Sequence, residues 1–155
     1  MIERTIAQII TKKKLTVSVA ESCTGGLVSH SLTNIPGSSK YFMLGIVAYS
    51  NESKQKLVGV SEETLRKHGA VSKETALELA RNIKHIAGTN IGIGITGIAG
   101  PSGGTPTKPV GTVFISVSIG HHDFFKKFQF SGKREIVKKK TKDAALNLLN
   151  ECLHW

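Results

Sequence analysis

The sequence predicts a single-domain α/β protein, a three-layer α/β/α sandwich around a mixed central sheet. Two observations carry that prediction. Apolar runs of strand length alternate with amphipathic stretches of helical period through the first two thirds of the chain. Two strand-like runs then follow each other directly near residue 120 and lead into a long closing helix, so antiparallel strands join the parallel ones. A length of 155 residues suits one domain with a real core and is short for two.

Each element has its own signal. Apolar Ile2, Ile6, Ile9 and Ile10 mark an amphipathic helix to about Lys13, and Lys12-Lys13-Lys14 suits its negative C-terminal end. Leu15 to Ala20 reads as a buried strand, followed by a turn at Ser22 and a helix to about Asn34, where Asn34 to Ser39 is rich in turn formers. Tyr41 to Tyr49 reads as a strand, with a bulge or close backbone approach at Gly45. Asn51 then caps a helix through Leu57, Ser61-Glu62-Glu63-Thr64 starts a short one ending at His68-Gly69, and Ser72 opens the clearest helix, to about Ala87. Asn90 to Thr96 alternates Ile with Gly, a strand with one bare face against which a helix or backbone can lie close. Val110 to Ser118 and Asp123 to Phe130 form a hairpin turning at Gly120, with lysines on its outer strand, and Lys133 to Leu153 forms the last helix.

Composition bounds the function. The formal charge of +10, from 21 Lys and Arg against 11 Asp and Glu, attracts polyanions, and equally serves solubility or recruits a small phosphorylated substrate. An aromatic content of 6% leaves few rings to stack on bases, which weighs against a nucleic-acid partner. No apolar run approaches the ~20 residues of a membrane helix, and Met1-Ile2-Glu3-Arg4 opens no signal-peptide core. The expectation is a soluble cytoplasmic protein with no membrane partner. Cys23 and Cys152 lie far apart and read as free thiols, and His68 and His85 have no ligand-spaced partner, so no metal site is expected.

Three stretches carry candidate chemistry. Ala20-Glu21-Ser22-Cys23-Thr24-Gly25-Gly26 turns a strand into a helix and presents hydroxyls and unpaired N–H groups at one point. Such a point can bind an anion or attack a carbonyl; the plainer alternative is a helix cap by Ser22 or Thr24. Lys54, in the first turn of its helix, opposes the helix dipole, and dipole and burial together lower a lysine pKa as a general base requires. The loop Gly97 to Pro109, with its glycines and prolines, can bring backbone N–H groups onto a phosphate, although it matches no Walker or Rossmann pattern.

Together the Ser22 segment, Tyr49-Ser50-Asn51-Glu52-Ser53-Lys54, and Gly97-Ile98-Ala99-Gly100-Pro101-Ser102-Gly103-Gly104 followed by Lys108-Pro109-Val110-Gly111 resemble the CinA C-terminal domain family over nearly the whole chain. Its characterised enzymatic members are nicotinamide mononucleotide deamidases. The resemblance implies hydrolysis of that nucleotide's carboxamide to nicotinate mononucleotide and ammonia, without metal or organic cofactor, in bacterial pyridine nucleotide salvage. It implies Ser22 as nucleophile, with Tyr49 and Lys54 assisting proton transfer. Thr24, Gly25 and Gly26 would surround the oxyanion. Thr96, Gly97, Gly100, Gly103, Gly104, Thr105 and Arg134 would bind the rest of the nucleotide, the loop and Arg134 gripping its phosphate. Cys23 is the alternative nucleophile, since helix N-termini lower thiol pKa values. Many relatives carry Arg where this chain has Lys138. A homo-oligomer, dimer favoured, is expected; the alternative function is a silent nucleotide-sensing or DNA-associated module.

Overall fold

The computed structural model describes the whole chain, Met1–Trp155. Its elements are α1 (Ile2–Lys13), β1 (Val17–Glu21), α2 (Leu27–Thr33), a short 3-10 turn (Ser38–Lys40), β2 (Phe42–Val47), α3 (Asn51–Val58), α4 (Glu62–His68), α5 (Lys73–Ala87), β3 (Ile91–Gly97), β4 (Thr112–Ile119), β5 (His122–Gln129) and α6 (Arg134–Leu153). The sheet order is β2-β1-β3-β4-β5. β1 runs parallel to both β2 and β3, whereas β3-β4 and β4-β5 are antiparallel. The mixed three-layer sandwich read from the sequence is the observed architecture.

Two unequal cores hold the layers together. On one face α1, α2 and α6 cover Val17, Val19, Ile91, Ile93, Ile95, Val113, Ile115 and Val117 with Ile6, Ile10, Val28, Leu32, Leu146 and Leu149, all buried. On the other, Leu79 and Ile83 of α5 meet Ala20, Ala48, Val58 and Val60 in a smaller cluster. The difference follows from β3. Its isoleucines all point to the first face, and Gly92 and Gly94 leave the second bare. α5 settles so close there that a Cβ at Gly92 would stand 2.0 Å from the Ala80 carbonyl oxygen, and one at Gly94 2.4 Å from that of Ala76. The partners in register are equally small: Gly92 lies opposite Ser18 and Ser118, and Gly94 opposite Ala20 and Ser116.

The structure moves several sequence-predicted boundaries. β1 starts two residues later and includes Glu21, which pairs with Val47. At Gly45 the close approach is real, a Cβ there standing 2.7 Å from Ser29 Oγ, but the register break falls at Met43, between the Val17–Phe42 and Ser18–Leu44 pairs. Ser50, not Asn51, is the N-cap of α3: its hydroxyl accepts from the Ser53 N–H while the Ser53 hydroxyl accepts from the Ser50 N–H. Lys54 is therefore one position deeper in the helix than the sequence suggested. Val110 and Gly111 precede β4 in a turn, with Gly111 at φ 91° and its backbone against the Phe130 carbonyl.

The topology decides where a site can form. From β1 the chain passes to β2 on one side and returns across β1 to β3 on the other, so the C-terminal end of β1 is a switch point with helices leaving both ways. Ser22 stands at that end.

Seating α5 on glycine has a measurable consequence. Gly92→Ala should destabilise the domain by about 3 kcal/mol, the upper end of ordinary overpacking, because backbone must move. Urea unfolding measures this; a loss below about 1 kcal/mol would contradict the contact.

Candidate active site

Ser22 follows β1 directly, and its N–H still donates to Ile95 O of β3 at 3.1 Å, so the strand pairing fixes the residue's position. The side chain is buried at 7% exposure. Lys54 approaches it from α3, where the capping box aligns the first turn beneath the end of β2. Lys54 Nζ lies 3.0 Å from Ser22 Oγ and donates to the Tyr49 main-chain carbonyl at 3.1 Å.

The lysine is 2% exposed and faces no carboxylate. Burial of the charged form lowers its pKa from the ordinary value of 10.5. With an amine in the neutral form, one N–H donates to the Tyr49 carbonyl and the lone pair is free to take the Ser22 proton. Cys23 is affected in the opposite sense by the same environment: burial pushes its thiol up to about 12, against smaller opposing effects. It stays a thiol at neutral pH, which removes the activated thiolate that the alternative nucleophile requires.

The turn after Ser22 differs from the sequence expectation. Neither Ser22 nor Thr24 caps α2; its N-cap is Gly26, at φ 103°. The cap is Glu21, a residue for which the sequence analysis assigned no role. Its fully buried carboxylate accepts from the N–H groups of Val28 and Ser29, both at 2.9 Å, from Thr24 Oγ1 at 2.6 Å and from Ser29 Oγ at 2.7 Å. The protein thus supplies its own anion at the α2 N-terminus, so an incoming anion finds that place taken. The signal was available: an acid closing an otherwise apolar buried strand, three residues before Thr24 and seven before α2's second amide. Of the three predicted oxyanion donors, Gly25 N–H is committed to Ser22 O at 3.0 Å, whereas the N–H groups of Thr24 and Gly26 meet no protein acceptor.

Arg134, at the start of α6, joins two of the other segments. Its guanidinium donates to Gly100 O and to the Tyr49 hydroxyl, both at 2.6 Å. Tyr49 therefore reaches Lys54 through its backbone carbonyl while its phenol, on a 55% exposed residue, turns to Arg134. Gly97 closes over Cys23, where a Cβ would stand 3.1 Å from Cys23 Sγ and 2.7 Å from Val113 Cγ2. The Thr96 hydroxyl donates to the Ala70 carbonyl at 2.7 Å. Gly103, Gly104 and Thr105 belong to an exposed hairpin closed on itself, Thr105 N–H donating to Lys108 O and Lys108 N–H to Thr105 Oγ1. No hydrogen bond ties those three residues to Ser22 or Lys54. The structure thus brings together Ser22, Thr24, Gly25, Gly26, Tyr49, Lys54, Gly97, Gly100 and Arg134, and Thr96 lies level with Ser22 on the adjoining strand.

Nowhere do three or more His, Cys, Asp and Glu side chains gather closely enough to hold a metal ion. No helix is long and apolar enough to cross a membrane.

Residues 1–153 match the CinA C-terminal domain. The chain belongs to that family. A CinA-like protein of Kosmotoga olearia is 49% identical over 98% of this chain, and the match spans 37% of its length. Two crystal structures share the fold: competence/damage inducible protein CihA from Agrobacterium tumefaciens, 38% identical with a TM-score of 0.92, covers 99% of this chain and 96% of its own. The CinA superfamily protein KP700603 from Klebsiella pneumoniae, 32% identical with a TM-score of 0.95, covers 99% and 97%. Against the first curated relatives, then, this CinA C-terminal domain spans a little over a third of their length.

Burial of an unpaired amine predicts a trade-off. Lys54→Met should raise the melting temperature, since it removes a group that must lose its proton or its hydration to fold. The sign follows from the lowered pKa. Below the folded-state value both folded and unfolded lysine are charged and the full burial penalty applies; it fades as pH rises towards 10.5. The gain in Lys54→Met is therefore larger at pH 6 than at pH 10, as thermal melts at the two pH values will test, and equal gains would show that the amine carries no such penalty.

Proposed function

We propose that this CinA-family domain is a serine amidohydrolase that deamidates nicotinamide mononucleotide to nicotinate mononucleotide and ammonia. The observation that carries the reading is the buried contact between Ser22 Oγ and Lys54 Nζ at 3.0 Å, with no carboxylate paired to the lysine. A serine hydroxyl is a weak nucleophile until a neighbouring base takes its proton, and a desolvated lysine is such a base.

The residues support a balanced sequence of steps. Lys54, its amine oriented by the Tyr49 carbonyl, accepts the Ser22 proton as Oγ bonds to the carboxamide carbon. The resulting oxyanion faces the free N–H groups of the turn, among which Thr24 and Gly26 are candidates; each such donor contributes roughly 3 to 4 kcal/mol in other hydrolases. The Lys54 ammonium returns the proton to the departing nitrogen, the C–N bond breaks, and ammonia leaves an acyl ester on Ser22. Water then attacks that ester with Lys54 taking its proton; the bond from the acyl carbon to Oγ breaks, Lys54 returns the proton to Ser22 Oγ, and nicotinate mononucleotide is released. Arg134 links Tyr49 to Gly100 and so keeps the residue bearing the orienting carbonyl against the loop.

Ammonia release from nicotinamide mononucleotide tests the mechanism. Ser22→Ala should abolish it, Lys54→Ala should lower kcat by roughly a hundred- to ten-thousandfold, and Cys23→Ala should keep most of the activity. In the wild-type protein kcat/KM should rise with pH and level off below 10.5, as Lys54 loses its proton. Full activity in Ser22→Ala would refute covalent catalysis by this residue, and wild-type protein that releases no ammonia while binding DNA in a salt-dependent way would favour a DNA-associated role.

A further inference from the structure

The two edges of the sheet are protected differently. β5 carries Asp123, Lys126 and Lys127, and two of these are tied to helices, Asp123 to Arg81 and Lys126 to Glu151, both at 2.6 Å. Charges so placed discourage another strand from pairing there. β2, the opposite edge, has no such device, because Phe42 to Tyr49 contains no charged residue. Met43, Val47 and Tyr49 alternate along one side of this segment, each about half exposed, with Gly45 between the first two. The backbone is equally bare. β2 pairs with β1 alone, and outside that pairing residues 42–47 make no main-chain hydrogen bond. The outward N–H and C=O groups of the strand thus have no main-chain partner.

An uncharged edge with open backbone groups, on a chain of net charge +10, fits a partner edge that is itself uncharged. The same strand in a second copy is such an edge. Two copies meeting across their lysine-rich surfaces would set cation against cation, and at β2 they do not. We infer that this chain self-associates through β2, two copies pairing antiparallel about a two-fold axis and joining their five-stranded sheets into one. Gly45, which has no side chain, suits the axis. Centring the pair there sets Met43 of each copy opposite Val47 of the other, so two apolar cross-strand pairs flank the glycines. It also sets residue 41 opposite residue 49, so the contact adjoins the residue whose carbonyl orients Lys54. The contact depends on the edge and not on the reaction at Ser22.

Sedimentation of the full chain over a range of concentrations tests the pairing. Wild-type protein should reach twice the 16.7 kDa of one chain at about 100 μM. Met43→Lys combined with Val47→Lys places like charges at both cross-strand pairs. Met43→Lys combined with Val47→Glu alters the same two positions but sets Lys against Glu across the axis, and so also serves as the folding control. The second variant should form its dimer at least about tenfold more tightly than the first. Wild-type protein that stays monomeric at that concentration overturns the inference. A dimer that neither variant weakens places the contact elsewhere and overturns it too, and equal weakening by both variants overturns the antiparallel pairing of residue 43 with residue 47.

Discussion

The burial of Lys54 is the constraint around which the site is arranged. An ammonium taken out of water without a carboxylate is unstable, so the fold must either lower its pKa or be penalised for keeping the charge. The surroundings are matched to the first outcome: one hydroxyl, one carbonyl and a neutral buried thiol. Each neighbour is held by regular structure. Ser22 is fixed by pairing at the end of β1, and the Tyr49 carbonyl lies between the end of β2 and the Ser50 capping box. The Ser22–Lys54 pair is consequently held by strand pairing on one side and a capped helix on the other.

Glu21 complements this arrangement from beneath. Placing a carboxylate inside a strand end is costly unless every lone pair finds a donor, and here four donors converge on it. The result fixes the direction in which the chain leaves β1, and with it the orientation of Ser22. It also separates charges. The negative group is consumed on the α2 side of the turn, and the Lys138 ammonium of α6 reaches the turn at Gly25.

Much of the architecture was legible in the sequence because its signals are local. The Ile-Gly alternation of β3 reported a bare face, and α5 occupies it; the Ser72 cap and the apolar stripe after it located α5 itself. Ser22, Lys54 and Arg134 were legible through the resemblance, since nothing in spacing alone brings residues 22, 54 and 134 together. Three features required coordinates. The role of Glu21 depends on the chain folding back so that α2's amides meet the strand end. The division of Tyr49 between a carbonyl facing Lys54 and a phenol facing Arg134 depends on backbone direction at the end of β2. Thr96 is the third: its hydroxyl is engaged by the Ala70 carbonyl, a partner distant along the chain. The thiol of Cys23 follows the same logic, because proximity to a helix N-terminus says nothing of the packing under Gly97 that holds it protonated.

The self-contained hairpin at the tip of the Gly97 to Pro109 loop has a bearing on how such a domain can diversify. Its bonds run inward, Thr105 to Lys108, and it is anchored at its rims by Arg134 on Gly100 and by Lys108 on His68. Neither core extends into that tip. Insertions or exchanges between the two anchors therefore reshape the exposed tip without disturbing the buried amine or the strands beneath it. Surface shape and foldability are stored in different stretches of the polypeptide, and one can drift while the other is preserved.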